Sequence, residues 1–275
     1  MKLLVAVKQI ARLADGFVLD GASGGPHGSV GAGLPHGSVV VPEEALEWAP
    51  NEWDAFALEA ALRLREDSGD GEVVVATVGG DEAEESLRAG LAMGADRAVR
   101  VWEESLRGAD PLAIAAVLAK LVASEQPDLI LCGAQSADAA NAATGVALAG
   151  LLDLAHVAVV SAVERDGTAL IVGRELDGGA VETLRVELPV LLTIQTGANQ
   201  PRRANLRAIK QAREQPIETL TPAALGLDEQ ELIAAAGART VRLLEPVRER
   251  ASMIDGPVSA IAARIAEIVA AELQA

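Results

Sequence analysis

Short, continuous apolar runs rich in β-branched residues recur through the first half of the chain, at residues 2–7, 72–78, 98–101 and 129–132. Each is too short for a buried helix and has the composition of a buried strand. Between them the apolar positions change to a helical period. Trp53, Phe56, Ala57, Ala60 and Leu64 fall on one face, Ala83, Leu87 and Leu91 on a second, and Leu112, Ala115, Ala116 and Ala119 mark a third. Strand and helix alternate, which predicts an α/β fold with a mostly parallel, doubly wound, Rossmann-like sheet.

Punctuation residues sharpen these boundaries. Asp110-Pro111 places a capping side chain before a proline suited to a first helical turn, and Asp81 with Glu84 resembles a capping box. After Leu152 the pattern changes. Residues 157–163, 168–174, 181–186 and 190–194 are strand-like and are separated by Arg165-Asp166-Gly167 and Asp177-Gly178-Gly179, so an antiparallel hairpin extension is expected. The run at 190–194 then opens into Gln195, Thr196, Gly197, Ala198, Asn199, Gln200, Pro201, Arg202 and Arg203, a polar loop too long for a hairpin. At the C-terminus Val258, Ile261, Ile265, Ile268 and Val269 recur at helical spacing. The expected organisation is an α/β nucleotide-binding domain over 1–250 and a terminal amphipathic helix or arm over 251–275, placed to pack on its own domain or on a partner.

Composition removes several functions. A formal charge of -17 argues against nucleic acid and anionic membrane surfaces, since neutralising phosphates takes clustered Lys and Arg. Aromatic residues are only 2% of the chain, which disfavours base-stacking platforms. The apolar run around residues 146–160 is broken by Asp153 and His156, so the chain is not expected to insert in a membrane. The single Cys132 rules out an internal disulfide, and the N-terminus lacks a signal-peptide pattern; a cytoplasmic protein is expected.

Neither the GxGxxG fingerprint nor the GxxxxGK[ST] loop occurs. What does occur is the strand LILCG followed by AQSADAANAATG, with small residues crowding the turn between Gly133 and Gly145. Small side chains let a phosphate approach backbone N–H groups and a helix N-terminus, although close packing of helix on sheet accounts for the pattern equally well. Candidate catalytic groups are few. His156 sits in an apolar run and reads as a hydrogen-bonded core histidine, and Cys132 reads as a small buried hydrophobe. The pairs Glu43-Glu44 and Glu103-Glu104 read as solvated, and His27 with His36, in a low-complexity loop over 21–39, lack the further ligands a metal needs. No metal site and no catalytic constellation is expected.

The run VGRELDGGAVETLRVELPVLLT resembles the signature of the beta subunit of electron-transfer flavoproteins, through Val172, Arg174, Asp177, Gly178, Gly179, Glu182, Leu184, Pro189, Leu191, Leu192 and Thr193. LVAVKQI, NEWDAFALEAALRL, LAMGADRAVRV and GADPLAIAAVLAKL extend the likeness over most of the chain, excepting 21–39. The resemblance implies a heterodimer with an alpha subunit, which chiefly holds one FAD, while the beta subunit buries an AMP. It implies electron flow from flavin dehydrogenases, such as acyl-CoA dehydrogenases, to that FAD and on to a quinone oxidoreductase, with fatty acid oxidation as the setting. The redox chemistry belongs to the cofactor, and this chain is an electron-carrier subunit, not an enzyme.

Carried over by resemblance, the adenosine side of the AMP site involves Ala6, Asn51, Glu52, Trp53, Asp54 and Val78. The phosphate side involves Gly133, Gln135, Asp138, Asn141, Ala142, Ala143, Thr144 and Gly145. Residues 195–204 match the recognition loop that grips dehydrogenases, Arg174 and Glu175 lie toward the alpha subunit, and Leu13 lies near the flavin. There are departures. Ala139, Ala140, Ala142 and Ala143 stand where many relatives carry Asp, Asn or Gln, so phosphate contacts rest on Thr144 and backbone N–H groups. The loop's anchor position, commonly leucine or isoleucine, is Ala198, and Arg203 replaces a tyrosine. GADPLAIA resembles AMP-type subunits, whereas bifurcating relatives, which hold a second FAD, tend to be threonine-rich there. A stand-alone nucleotide sensor of the universal-stress type is the competing reading; it explains the parallel half of the chain and not the hairpins.

Overall fold

A computed structural model describes residues 1–14, 45–228, 231–232, 237 and 252–273. The loop over 21–39, with His27 and His36, and the Glu43-Glu44 pair lie outside the described residues.

Five β-rich runs form the parallel heart of the sheet: β1 (Lys2–Ala6), β4 (Glu72–Val78), β5 (Arg97–Val101), β6 (Leu129–Gly133) and β10 (Val190–Ile194). Added to them are β7 (His156–Asp166), β8 (Ala169–Glu175), β9 (Val181–Glu187) and β11 (Glu218–Leu220), giving nine strands in the order β11-β5-β4-β1-β6-β10-β7-β8-β9. All pairs from β11 to β7 are parallel; β7-β8 and β8-β9 are antiparallel. Leu3, Leu4, Val5, Val73, Val74, Val75, Leu129, Ile130 and Leu131 are all buried. Burial of both faces of these strands is why they read as continuous apolar runs instead of alternating ones.

Helices cover the faces: α1 (Glu52–Ser68), α2 (Glu84–Met93), α3 (Pro111–Glu125), α4 (Thr144–Leu152) and α5 (Leu206–Glu214). One core lies under α1 and α2, around Leu58, Leu62, Leu87 and Leu192; the other lies under α3 and α4, around Val99, Leu118, Leu121 and Leu148. Asp110 caps α3 as expected, its Oδ1 accepting from the Ala113 N–H at 2.9 Å. The chain divides into two units, and the described part of the second is α6 (Val258–Glu272) with its flanks. On α6 Ile265, Ile268 and Val269 are exposed.

Several expectations are corrected. β10 belongs to no hairpin: it is inserted in parallel between β6 and β7, so only β7, β8 and β9 form the antiparallel extension. No capping box opens α2, because Asp81 starts a short 3-10 turn and directs its carboxylate to Arg100, 2.6 Å away. The buried positions of α3 are Ala113, Ala115, Val117, Leu118, Leu121 and Val122: of the expected stripe Ala115 is buried, Ala116 and Ala119 are half-buried and Leu112 is exposed, since a helix apolar on every side gives its periodicity no direction. His156 is exposed at the start of β7 and is not a core histidine. The antiparallel pair β2 (Gln9–Leu13) and β3 (Leu46–Pro50) was not anticipated. The Asp177–Gly179 turn is as expected, with Gly178 and Gly179 at φ 77° and 79°.

Candidate functional site

Ligands of open α/β sheets bind at the carboxyl ends of parallel strands, where the chain turns from strand to helix. Here the ends of β1, β4 and β6, with the starts of α1 and α4, surround a cleft of about 660 Å³. That lies within the range of small-molecule sites, roughly 300–1,000 Å³. Ala6, Asn51, Asp54, Val78, Gly133, Gln135, Asn141, Ala142, Ala143, Thr144 and Gly145 all line it. Residues 51–54 and 133–145 are far apart in sequence and meet only because β1 and β6 are neighbours.

Asn51 and Asp54 brace the cleft. The Asn51 side chain, 3% exposed, donates from Nδ2 to the Gln135 carbonyl (3.0 Å) and accepts at Oδ1 from the Ala137 N–H (3.2 Å). It thereby ties residues 135–137 of the 134–143 loop to the start of α1. Asp54 accepts from the Lys8 N–H at Oδ2 (2.7 Å) and from the Gly133 N–H at Oδ1 (3.0 Å). Burial nevertheless raises its carboxyl to about 7, outweighing the pull of these donors and of the Lys8 charge.

The side of the cleft around residues 139–145 presents mostly backbone and small side chains. No side chain caps the N-terminus of α4, so its first N–H groups face the cleft unsatisfied by the protein. Upstream, Ala140 and Ala142 adopt the left-handed region at φ 49° and 50°, with Asn141 between them. Alternation of this kind turns successive N–H groups to one side as an anion nest, at a cost on the order of 1 kcal/mol for each non-glycine residue. The alanines thus carry backbone chemistry in place of side-chain chemistry.

Three expected residues are placed elsewhere. Glu52 is exposed on the first turn of α1. Trp53 turns to the other side of the helix and donates from Nε1 to Gln195 Oε1 at 3.1 Å. Asp138 pairs with Lys8 at 2.7 Å, and this bond, with burial working against it, holds its carboxyl below the usual range. Sequence reasoning missed Gln9, which lines the cleft and is buried; its Oε1 accepts from the Ser86 hydroxyl, while Nε2 has no protein partner. An orphaned donor, unsatisfied helix N–H groups and the cleft's volume all fit a bound mononucleotide. Cys132, also on the cleft wall, is inert, since burial pushes its thiol up to about 12.

The 195–204 loop leaves β10 beside the cleft, and the Ala134 N–H donates to the Ile194 carbonyl at 2.8 Å. The loop is clasped to α1. Asn199 Nδ2 donates to the Phe56 carbonyl (2.9 Å), Arg63 donates to the Gln200 carbonyl (3.2 Å), and Arg202 spans Glu59 (2.7 Å) and Glu66 (2.5 Å). Glu59 is only 3% exposed, so Arg202 neutralises a buried carboxylate. An exposed arginine pair is therefore not what the loop presents: Arg202 is structural and Arg203 alone is exposed. Ala198 also faces inward, packed against the core. Arg174 is exposed at the end of β8 and reaches Glu182 on β9 at 3.7 Å, with Glu175 beside it; Leu13 is partly exposed at the end of β2. Among the described residues, no cluster of His, Cys, Asp or Glu is built to hold a metal, and no helix is long and apolar enough to cross a membrane.

A family model described as an electron transfer flavoprotein domain matches residues 38–225. Over 274 residues the chain is 41% identical to the electron transfer flavoprotein subunit beta of Methylophilus methylotrophus, covering 98% of each. It is 34% identical over 234 residues to the protein of that name from Bacillus subtilis, covering 84% of this chain and 90% of the relative. With the Homo sapiens protein of that name the identity is 38% over 190 residues, covering 68% and 74%.

Proposed function

Because this chain belongs to the electron transfer flavoprotein family, among its beta subunits, we propose that it binds AMP as a structural ligand and docks the flavin dehydrogenases that reduce its heterodimer. The family pairs this chain with an alpha subunit and associates the pair with flavin. In the proposed division of labour the FAD, held chiefly by the alpha subunit, accepts and passes on electrons. The present chain binds, positions and docks. Acyl-CoA dehydrogenases are the proposed donor class and a quinone oxidoreductase the proposed acceptor.

The observation that carries the AMP reading is the pairing of the orphaned Gln9 donor with the uncapped N-terminal N–H groups of α4, beside the left-handed Ala142, in one cleft. Ala6, Val78 and Gly133 would let the adenosine lie close to the strand ends, Asn51 and Gln135 would hold the loop around it, and Thr144 with Gly145 would meet the phosphate. Lys8 and Arg107, the cations among the described residues that line the cleft, are already matched by Asp138 and Glu104. A phosphate therefore depends on dipoles, which suits one phosphate better than a chain of them. Arg174 and Glu175 are proposed for the alpha-subunit interface and Leu13 for the flavin side.

Expressed alone, the chain is expected to be colourless, and co-expressed with its alpha subunit to be yellow with about one FAD per heterodimer. Absorbance with quantified flavin release reads this out. Stoichiometric FAD on the isolated chain would overturn the division of labour, and two FAD per heterodimer would assign the cleft to a second flavin.

A further inference from the structure

We propose that the apolar anchor of the docking surface is Leu206 on α5, set in a ring of unpaired cations, and that its partner is an acidic face of the reducing flavin dehydrogenase carrying an apolar socket. This rests on the docking reading above and relocates its contact. Ala198 is a single methyl packed against the core, and Arg202 is consumed by Glu59 and Glu66, so the loop itself presents neither an anchor nor an arginine pair. The loop leads directly into α5, whose first residue, Leu206, is 85% exposed. No other large apolar side chain among the described residues is more exposed.

The orientation of α5 is fixed by its neighbours. Asn205 caps it, accepting from the Ala208 N–H at 2.9 Å, and Arg88 closes its far end by donating to the Ala212 carbonyl at 2.8 Å. Ala212 is buried, so Leu206, Lys210 and Arg213, spaced i, i+4 and i+7, share the outward face, with Arg207 alongside. Arg203, Arg207, Lys210 and Arg213 are all exposed and make no ion pair among the described residues. Besides these, only Lys120 and Arg165 among the described lysines and arginines lack a carboxylate partner. Glu214 is the sole carboxylate on α5.

Charge complementarity selects the occupant. A chain of net charge -17 repels an acidic protein over most of its surface, and uncompensated cations gathered around one exposed leucine make this face the exception. An apolar residue ringed by steering charges has the anatomy of an interface hot spot with a polar rim.

The test uses the heterodimer and an acyl-CoA dehydrogenase reduced by its own substrate, with the second-order rate of flavin reduction followed against ionic strength. Leu206→Ala is expected to lower the rate about tenfold at every salt concentration, the scale of a lost buried leucine. Lys210→Ala with Arg213→Ala is expected to lower it about tenfold at low salt and to match wild type at high salt, where charges are screened. All three side chains are exposed, so melting temperature and FAD content should remain wild type. Gln200→Trp, a bulk placed on the exposed loop, separates the two readings. If it blocks transfer while both α5 variants behave as wild type, docking by the loop stands and the α5 anchor is wrong. If all three variants transfer normally, the docking reading fails with it. Sedimentation with phosphatidylglycerol vesicles gives the remaining outcome: vesicle binding abolished by the double α5 variant, with unchanged electron transfer, would assign this face to a membrane and overturn the proposal.

Discussion

Gly133→Ala is expected to lower the melting temperature by on the order of 10 °C and to empty the nucleotide cleft. An added Cβ would lie 2.5 Å from Asp54 Oδ1 and 2.5 Å from Trp53 Cβ. Neither atom can yield cheaply. Asp54 is held by the Lys8 and Gly133 N–H groups, and Trp53 Cβ is fixed to the backbone of α1. The first turn of α1 must therefore retreat from the end of β6, taking with it the Asn51 bonds that hold the 134–143 loop. Overpacking costs about 1–3 kcal/mol and each buried bond lost adds about 1 kcal/mol, which together reach about 3–5 kcal/mol. Thermal unfolding with nucleotide quantification checks this, and a wild-type melting temperature with full occupancy would show that α1 does not set the cleft.

Asp54 gives the second large effect, in the pH dependence of stability. Its carboxyl is raised from 3.8 to about 7 by burial, so the native state holds a proton that the unfolded chain has already released. For a raised carboxyl this contribution is complete below the unfolded value and is lost as pH climbs through the folded one, because a buried charge must then be tolerated. Between pH 5.5 and 8, above the sequence pI of about 4.6, wild type is expected to lose about 2 kcal/mol relative to Asp54→Asn. The comparison is one of slopes in denaturant unfolding. It is insensitive to the fixed cost of an amide that cannot accept both N–H bonds. Parallel stability curves would mean that the carboxylate is ionised throughout.

The sequence carries much of this fold, for identifiable reasons. Runs such as that of β4 are buried on both faces and show it directly, and the Asp177–Gly179 turn needs positive φ that glycine supplies. β10 is a different case. A short apolar run says that a strand is buried but not which neighbours it takes, so its parallel place between β6 and β7 was hidden. The pair β2 and β3 joins across the low-complexity segment, and nothing local to either strand marks the other.

At the cleft, the crowd of small residues after β6 marks 133–145 locally, but close packing explains that pattern equally well and only the family resemblance tilts it toward a phosphate. The partners of Arg202 were not legible: Glu59 lies 143 positions earlier, and only the fold brings the two together. Gln9 was missed because its meaning lies in one unsatisfied donor atom, which no residue pattern encodes. Trp53 was assigned to the nucleotide by the family resemblance together with its neighbours Asn51 and Asp54, yet one step along a helix rotates a side chain by about 100°, and here it bonds the loop at Gln195.

The central claim is that this subunit holds one AMP through backbone groups organised by Asn51. Nucleotide released by acid from the purified heterodimer, separated by chromatography and counted against protein, tests it directly. One AMP per wild-type heterodimer is expected, with occupancy lost in Asn51→Ala, which removes both bonds to residues 135–137. FAD in place of AMP, no adenine nucleotide at all, or full AMP occupancy in the Asn51 variant would contradict it.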